Sequence, residues 1–350
     1  MKFFTQSKSD IQEYLNSYLQ VKQKELSKQY AWAPDAIPRL KKFVLPGKMI
    51  RGGLVVLGAE PKSKTAHKDA VIVGAALELL HSGILIHDDI MDKDEFRRGH
   101  ETIHTQYKQL ARKHKLRDDY HYGESMAASI GIIAYSLAVD MIASISNKKA
   151  VPDLACLFGM EMAALGLAQM QDVDGGYHRK EFTPTDVKRL YEQKTGRYTF
   201  TLPLQAGMIL SGKKSTKKAT LNELGKTLGV VFQLQDDILS LTGDPKQTGK
   251  PLAADIRERK QTLLYIKLVE MVGPSEAKKV IAIFKGKSIN NNDVKYVLQL
   301  IEKYKVIDWA KKIVSKQVDA SRKLLKGSKM SPHTVEQLNT MLSFLISREK

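Results

Sequence analysis

The sequence predicts an all-α fold, organised as one helical bundle over residues 1–350, and three observations carry that prediction. Apolar residues recur at steps of three and four, in Ile11, Leu15, Tyr18 and Leu19 and again in Ala70, Val73, Leu77 and Leu80, which is the spacing of one helix face. Strand-like alternation is hard to find. Helix-start signals are explicit: in Thr183-Pro184-Thr185-Asp186 the threonine can cap, the proline suits the first turn and Asp186 completes a capping box. With 43% hydrophobic residues and no long Pro, Gly or Ser-rich tract, the chain can bury one sizeable core and shows no linker.

In chain order, the Ile11 to Leu19 repeat predicts a helix over 8–30, and Lys48 and Arg51 start another over 48–60. The Ala70 to Leu80 repeat gives 66–93. Two further apolar runs give 120–146 and 150–172, the Thr183 cap opens 184–211, and another apolar run gives 216–242. A helix over 254–272 and several more to the end follow, the last opened by Ser331-Pro332. The stretches near 70–92, 125–145 and 150–170 are apolar on most faces, so they are expected at the centre of the bundle, with sites facing inward.

The formal net charge of +18 attracts polyanions. Lys and Arg are scattered, as in Lys213-Lys214 and Lys217-Lys218, without the aromatic-interleaved basic motif of an RNA-binding module, so nucleic acid is not an expected partner. The lone cysteine, Cys156, excludes an internal disulfide framework, fits a reducing compartment and is expected as core filler. Met1 to Asp10 lacks the pattern of a secretory signal, which points to the cytoplasm. Ser125 to Ser146 is long and apolar enough for a membrane span. Asp140 interrupts it, however, and its Ala, Ser and Gly content suits close helix packing in a core or dimer interface.

Two acidic segments carry the chemistry. In Glu78-Leu-Leu-His81-Ser-Gly-Ile-Leu-Ile-His87-Asp88-Asp89-Ile90-Met91-Asp92, Asp88 and Asp92 share a helix face, and hard oxygen ligands at that spacing can hold magnesium against a phosphate. Carboxylates at a helix C-terminus oppose its dipole, so a cation is expected beside them. Arg97-Arg98-Gly99 follows with two guanidinium groups suited to bidentate contact with diphosphate oxygens. The second segment, Phe232-Gln233-Leu234-Gln235-Asp236-Asp237-Ile238-Leu239-Ser240, ends another apolar helix. Two such helices facing across a bundle would form a cage for several magnesium ions and one diphosphate. Lys250 and Lys260 follow as point charges, and Gly47-Lys48-Met49-Ile50-Arg51 and Lys194-Thr195-Gly196 complete the set.

The order of these pieces, from Lys48 to Thr262, resembles the trans-isoprenyl (polyprenyl) diphosphate synthases, with Gln169 and Asp172 supplying that family's Gln-x-x-Asp. The resemblance implies an isoprenoid-synthase bundle with a central active-site cavity and a head-to-tail condensation of isopentenyl diphosphate with an allylic diphosphate. It further implies that Asp88, Asp92 and Asp236 bind three magnesium ions, aided on the allylic diphosphate by Arg97, Lys194, Lys250 and Lys260. By the same resemblance Lys48, Arg51, His81 and Arg98 hold isopentenyl diphosphate, while Thr195 and Gln233 lie beside the reacting allyl carbon. The chain departs from the family pattern where Ser240 stands for the last aspartate, Gly131-Ile132 for Gly-Asp and Arg259 for a glycine.

In this family bulky residues before the first motif form the floor for the growing chain. The fifth residue before Asp88 is Gly83, so a geranylgeranyl or somewhat longer product is expected unless Leu80, Met126 or Tyr135 closes the tunnel lower down. A terpene cyclase and a non-catalytic subunit of a heteromeric synthase are the competing readings. The first would not need Lys48, Arg51 and His81; the second sits poorly with intact Asp88, Asp92, Arg97, Arg98 and Lys194. The apolar central helices suggest a homodimer, and the basic surface suggests peripheral contact with an anionic membrane.

Overall fold

The computed structural model describes residues 2–177, 180–212, 218–243 and 252–346. Its elements, in chain order, are α1 (Lys2–Leu26), α2 (Ala33–Val44), α3 (Ile50–Ala59), α4 (Lys64–Met91), a hairpin of β1 (Phe96–Arg97) and β2 (His100–Glu101), α5 (Ile103–Lys113), α6 (Asp119–Ser144) and α7 (Val151–Gly176). Then come α8 (Pro184–Tyr191), a π-helical stretch (Glu192–Thr201), α9 (Leu202–Leu210), α10 (Lys218–Thr242), α11 (Ala254–Arg257), α12 (Leu263–Met271), α13 (Pro274–Lys285), α14 (Asn291–Lys303), α15 (Val306–Lys326) and α16 (Pro332–Ile346). The all-α class stands: among the described residues the only sheet is the two-residue antiparallel pair, Phe96 opposite Glu101 and Arg97 opposite His100.

Two compact units are distinguished, Met1–Gly159 with Leu202–Lys218, and Met160–Thr201 with Ala219–Lys350. In the first unit α4 is the axis, with α3 and α6 packed along it. Its residues from Asp69 to Leu80 are all buried, and α3 is buried from Gly52 to Ala59. Helices α3 and α4 cross closely: a Cβ on Gly52 would stand 3.0 Å from Gly74 O, and one on Gly74 would stand 2.9 Å from Gly52 O. Asp69 fastens the far end of α6, its two oxygens accepting from the Ser146 and Asn147 N–H groups at 2.8 Å each.

In the second unit Phe200 and Phe232 meet edge to face at 6.0 Å, and Tyr265 packs on Phe284 at 4.3 Å. The Thr183 capping box forms as predicted, with Asp186 N–H donating to Thr183 Oγ1 and Thr183 N–H donating to Asp186 Oδ2. Helix α16 opens at Pro332, as Ser331-Pro332 predicts.

Several expectations need correction. The predicted helix 8–30 ends at Leu26, and α2, which carries Pro34 in its first turn and Pro38 inside, is an additional element, as is the short α5. The stretch 184–211 is helical but changes to π geometry at 192–201, and 254–272 is broken between α11 and α12. Of the three helices expected at the centre, α4 is mostly buried and α7 mostly exposed. Met160, Leu167 and Met170 stand out from α7, Ile132 and Val139 from α6, and Cys156 is exposed rather than core filler. All three helices are long and apolar enough to cross a bilayer.

Candidate active site

The first unit gathers the first acidic motif, the arginine turn and the start of α3. Helix α4 ends at Met91, and its C-cap Asp92 donates its N–H to Asp88 O at 2.8 Å. Within the pair, Asp88 keeps a partly exposed side chain while Asp89 is buried. Arg97 Nε donates to Asp89 Oδ1 at 2.6 Å, and Arg97 Nη2 lies 3.6 Å from Asp88 Oδ2 and 3.8 Å from Asp94 Oδ2. Burial pushes the Asp89 carboxyl up to about 7, against the pull of Arg97 and with the help of Asp88 and Asp94. Its Oδ2 is buried with no hydrogen-bond partner among the described residues.

The Arg97-Arg98-Gly99 motif is a turn with a purpose. Arg98 and Gly99, at φ +54° and +76°, are the two central residues of the hairpin, and positive φ at both is the signature of the tight turn that matches strand twist. The turn gives its arginines different principal partners. Arg97 goes to the aspartates, whereas the Arg98 charge acts on Glu78 and His81. Burial, then the charges of Arg51, Arg98 and Arg97, hold the His81 imidazole well below its ordinary pKa, hence neutral. Lys48 is exposed just ahead of α3, and Arg51 lies in its first turn.

The second unit has its own polar cleft, lined by Asp172, Lys194, Gln233, Asp237, Asp255 and Lys260 among others. Lys194 Nζ donates to Asp172 Oδ2 at 2.5 Å, and Lys260 pairs with Glu258 at 2.5 Å. Thr195 Oγ1 donates to Gln233 Oε1 at 3.0 Å, and Gln233 Nε2 donates to Asp237 Oδ1 at 3.1 Å. Tyr191 donates its hydroxyl to Asp237 Oδ2 and accepts the Leu263 N–H at 3.2 Å. Burial, reinforced by the Asp255 charge, raises the Asp237 carboxyl well above the usual range. Its neighbour Asp236 is less buried. Both motifs thus show one arrangement: the first aspartate stays accessible and the second is spent on internal bonds.

Ser240 has a definite task. Its Oγ accepts the Asp255 N–H at 3.2 Å and its carbonyl accepts the Ala253 N–H at 2.8 Å, so it ties the approach to α11 onto α10. Arg259 stands at φ +59°, a backbone region that favours glycine. Its Nη1 donates to Gly286 O at 2.6 Å. Gln261, buried, donates to Gly175 O and Lys180 O and accepts from Phe182 N–H, closing the back of the cleft.

A divalent cation fits these donors in kind. Among the described residues no three His, Cys, Asp or Glu side chains converge on one point. The carboxylates instead suit an ion that takes one or two protein oxygens and fills its octahedron with water and phosphate, as magnesium does. Arg51, His81, Arg97 and Arg98 are brought within electrostatic reach of one another, as are Lys194 and Asp172. Lys250 lies outside the described residues. Missed from sequence were Asp89, Tyr191, Asp255 and Gln261, together with a role for Glu78. A glutamate flanked by Ala76, Leu77, Leu79 and Leu80 is itself the signal of a buried charge with partners.

A family model described as Polyprenyl synthetase matches residues 38–301. The chain is 30% identical over 278 residues to the short chain isoprenyl diphosphate synthase of Methanocaldococcus jannaschii, covering 79% of each protein. It is 27% identical over 313 residues to the geranylgeranyl diphosphate synthase of Sulfolobus acidocaldarius, covering 88% of this chain and 89% of that one. Among solved structures, the geranylgeranyl pyrophosphate synthase of Corynebacterium glutamicum, complexed with isoprenyl diphosphate and magnesium, superposes with a TM-score of 0.89 at 25% identity, covering 98% of both chains.

Proposed function

The chain belongs to the polyprenyl synthetase family, and from that premise we propose that it condenses isopentenyl diphosphate head-to-tail with dimethylallyl, geranyl or farnesyl diphosphate. It is a prenyltransferase, and the product is an all-trans polyprenyl diphosphate of about geranylgeranyl length or somewhat longer. The observations that support the residue roles are that Asp88, near the end of the apolar α4, lies 3.6 Å from Arg97, and that Lys194 and Lys260 line one cleft in the unit that also carries Asp236.

In the reaction the allylic C–O bond breaks and its electron pair leaves with the diphosphate. The isopentenyl double bond then attacks the allylic cation, and the proton lost from the new chain goes to the released diphosphate. Asp88, Asp92 and Asp236 would be the magnesium ligands, and the metal would supply positive charge to a departing diphosphate. Arg97, Lys194, Lys250 and Lys260 would supply cations to the allylic diphosphate. Thr195 and Gln233, fixed to each other, present oxygen dipoles to the allylic cation. Lys48, Arg51, His81 and Arg98 hold isopentenyl diphosphate; a neutral His81 can accept or donate one hydrogen bond there without adding repulsion.

An interlock of α4 and α6 supports a reading of product length. A Cβ on Gly83 would meet Tyr135 Cε1 at 2.7 Å, and one on Gly131 would meet His87 Nε2 at 2.3 Å, so each helix seats a ring from the other. Tyr135 O–H and His87 Nδ1 are 3.1 Å apart. We read Tyr135 as the floor that Gly83 itself does not provide. A homodimer formed through the exposed apolar rows of α6 and α7, working in the cytoplasm, completes the proposal.

Incubation with magnesium, labelled isopentenyl diphosphate and each of the three allylic starters, followed by mass analysis, tests it. Elongated trans products are expected. No product from any starter, with folded protein and saturating magnesium, would overturn the catalytic reading.

A further inference from the structure

Resting on the proposed function, the isopentenyl diphosphate site needs several cations side by side before their ligand arrives, and like charges resist that arrangement. Glu78, one turn before His81 on α4, is 5% exposed. Its Oε1 accepts the Gly52 N–H at 2.8 Å, and the Arg51 backbone N–H also donates to the carboxylate. Helix α3 has no cap of its own: Met49 occupies the N-cap at φ +54° with no side-chain hydrogen bond. The orphan donors of its first turn are therefore met by a carboxylate from another helix, where the helix dipole also favours an anion. The contact Gly52–Gly74 is what permits this, since it lets α4 pass close enough for a side chain one turn beyond Gly74 to reach the start of α3. Burial pushes the Glu78 pKa up, while Arg51, the two N–H donors and Arg98 pull against it.

We propose that Glu78 is a positioning residue for isopentenyl diphosphate: from behind the site it holds the first turn of α3 and the guanidinium groups of Arg51 and Arg98 at one spacing, so that Arg51, Arg98, Lys48 and His81 form a cradle in the empty enzyme. Glu78 does not touch the ligand. It balances the cations that do, since a carboxylate within reach of both Arg51 and Arg98 offsets their mutual repulsion.

The test uses Glu78→Gln, which keeps the volume and an acceptor for the Gly52 N–H but removes the charge. Isopentenyl diphosphate, and separately farnesyl diphosphate with magnesium, are titrated calorimetrically into wild type and variant, and KM for each substrate is measured. The expected result is a loss of isopentenyl diphosphate affinity of about tenfold or more, the size of one lost charged hydrogen-bonding partner. Affinity for farnesyl diphosphate should stay near wild type. Unchanged or tighter isopentenyl diphosphate binding, which greater net positive charge alone would give, overturns the inference, and so does an equal loss for both ligands, which marks a general structural role. Should Glu78→Gln not fold, Glu78→Asp keeps the charge but withdraws it by one methylene, and the same split is expected; if neither folds, the role is in folding alone and the inference fails. Wild type that binds no isopentenyl diphosphate would instead sink the proposed function itself.

Discussion

At the scale of single residues, each aspartate pair divides into an accessible carboxylate, the proposed magnesium ligand, and a buried structural anchor. Replacing the accessible member, Asp236→Asn, is expected to lower kcat by about a hundredfold or more with unchanged helix content by circular dichroism. Away from the site, Asp35 gives a pH prediction. Burial works to raise its pKa, but the Arg39 fork, with contacts of 2.9 to 3.0 Å, and the Tyr107 hydroxyl at 2.5 Å hold it below the usual carboxylate range. A folded-state pKa below the unfolded value of about 3.9 stabilises the protein above that pH, and the contribution is lost as pH falls through the folded value. Asp35→Asn should therefore melt lower than wild type at neutral pH, and the gap should narrow below about pH 4. Residues with a motif around them were legible in the sequence: Asp88, Asp92, Asp236 and the arginine pair announce themselves by type and spacing. Tyr191, Asp255 and Gln261 did not, because each is one polar residue whose partner, such as Asp237 for Tyr191, is distant in sequence and brought near only by packing.

Elements were legible where their periodicity ran long. Helices α4, α6 and α10 begin and end within a few residues of expectation. Helix α2 was hidden by Pro38, which reads as a breaker yet sits inside a helix whose first turn Pro34 already favours, and α5 is too short for a face to show. The π stretch was illegible for a different reason: it differs from an α-helix by where its hydrogen bonds close, not by residue type. Two predictions belong here. Gly74→Ala places a Cβ against the Gly52 backbone, which cannot swing aside, and should cost about 1–3 kcal/mol of stability in denaturant titration. Tyr135→Ala removes the ring seated over Gly83 and should shift products to longer chains with farnesyl diphosphate as starter, while Tyr135→Phe, keeping the bulk, should leave the length unchanged. If the alanine variant makes the same product as wild type, the floor lies elsewhere.

For the whole molecule, the exposed apolar rows matter more than the +18 charge. Met160, Leu167 and Met170 repeat at helical spacing on α7, and a row of that size left in water calls for a partner surface. Sedimentation of wild type is expected to give a dimer, and Leu167→Glu a monomer; a monomeric wild type would reject the assignment. The π stretch Glu192–Thr201 has a consequence for descent. It is the kind of irregularity left when one codon is gained inside a helix and kept. A lineage that lost one codon just ahead of Lys194 would regain an ordinary helix with its apolar composition intact, yet turn that lysine by about 100°, away from Asp172. Descendants by that route would keep the helix and lose the Lys194–Asp172 pair.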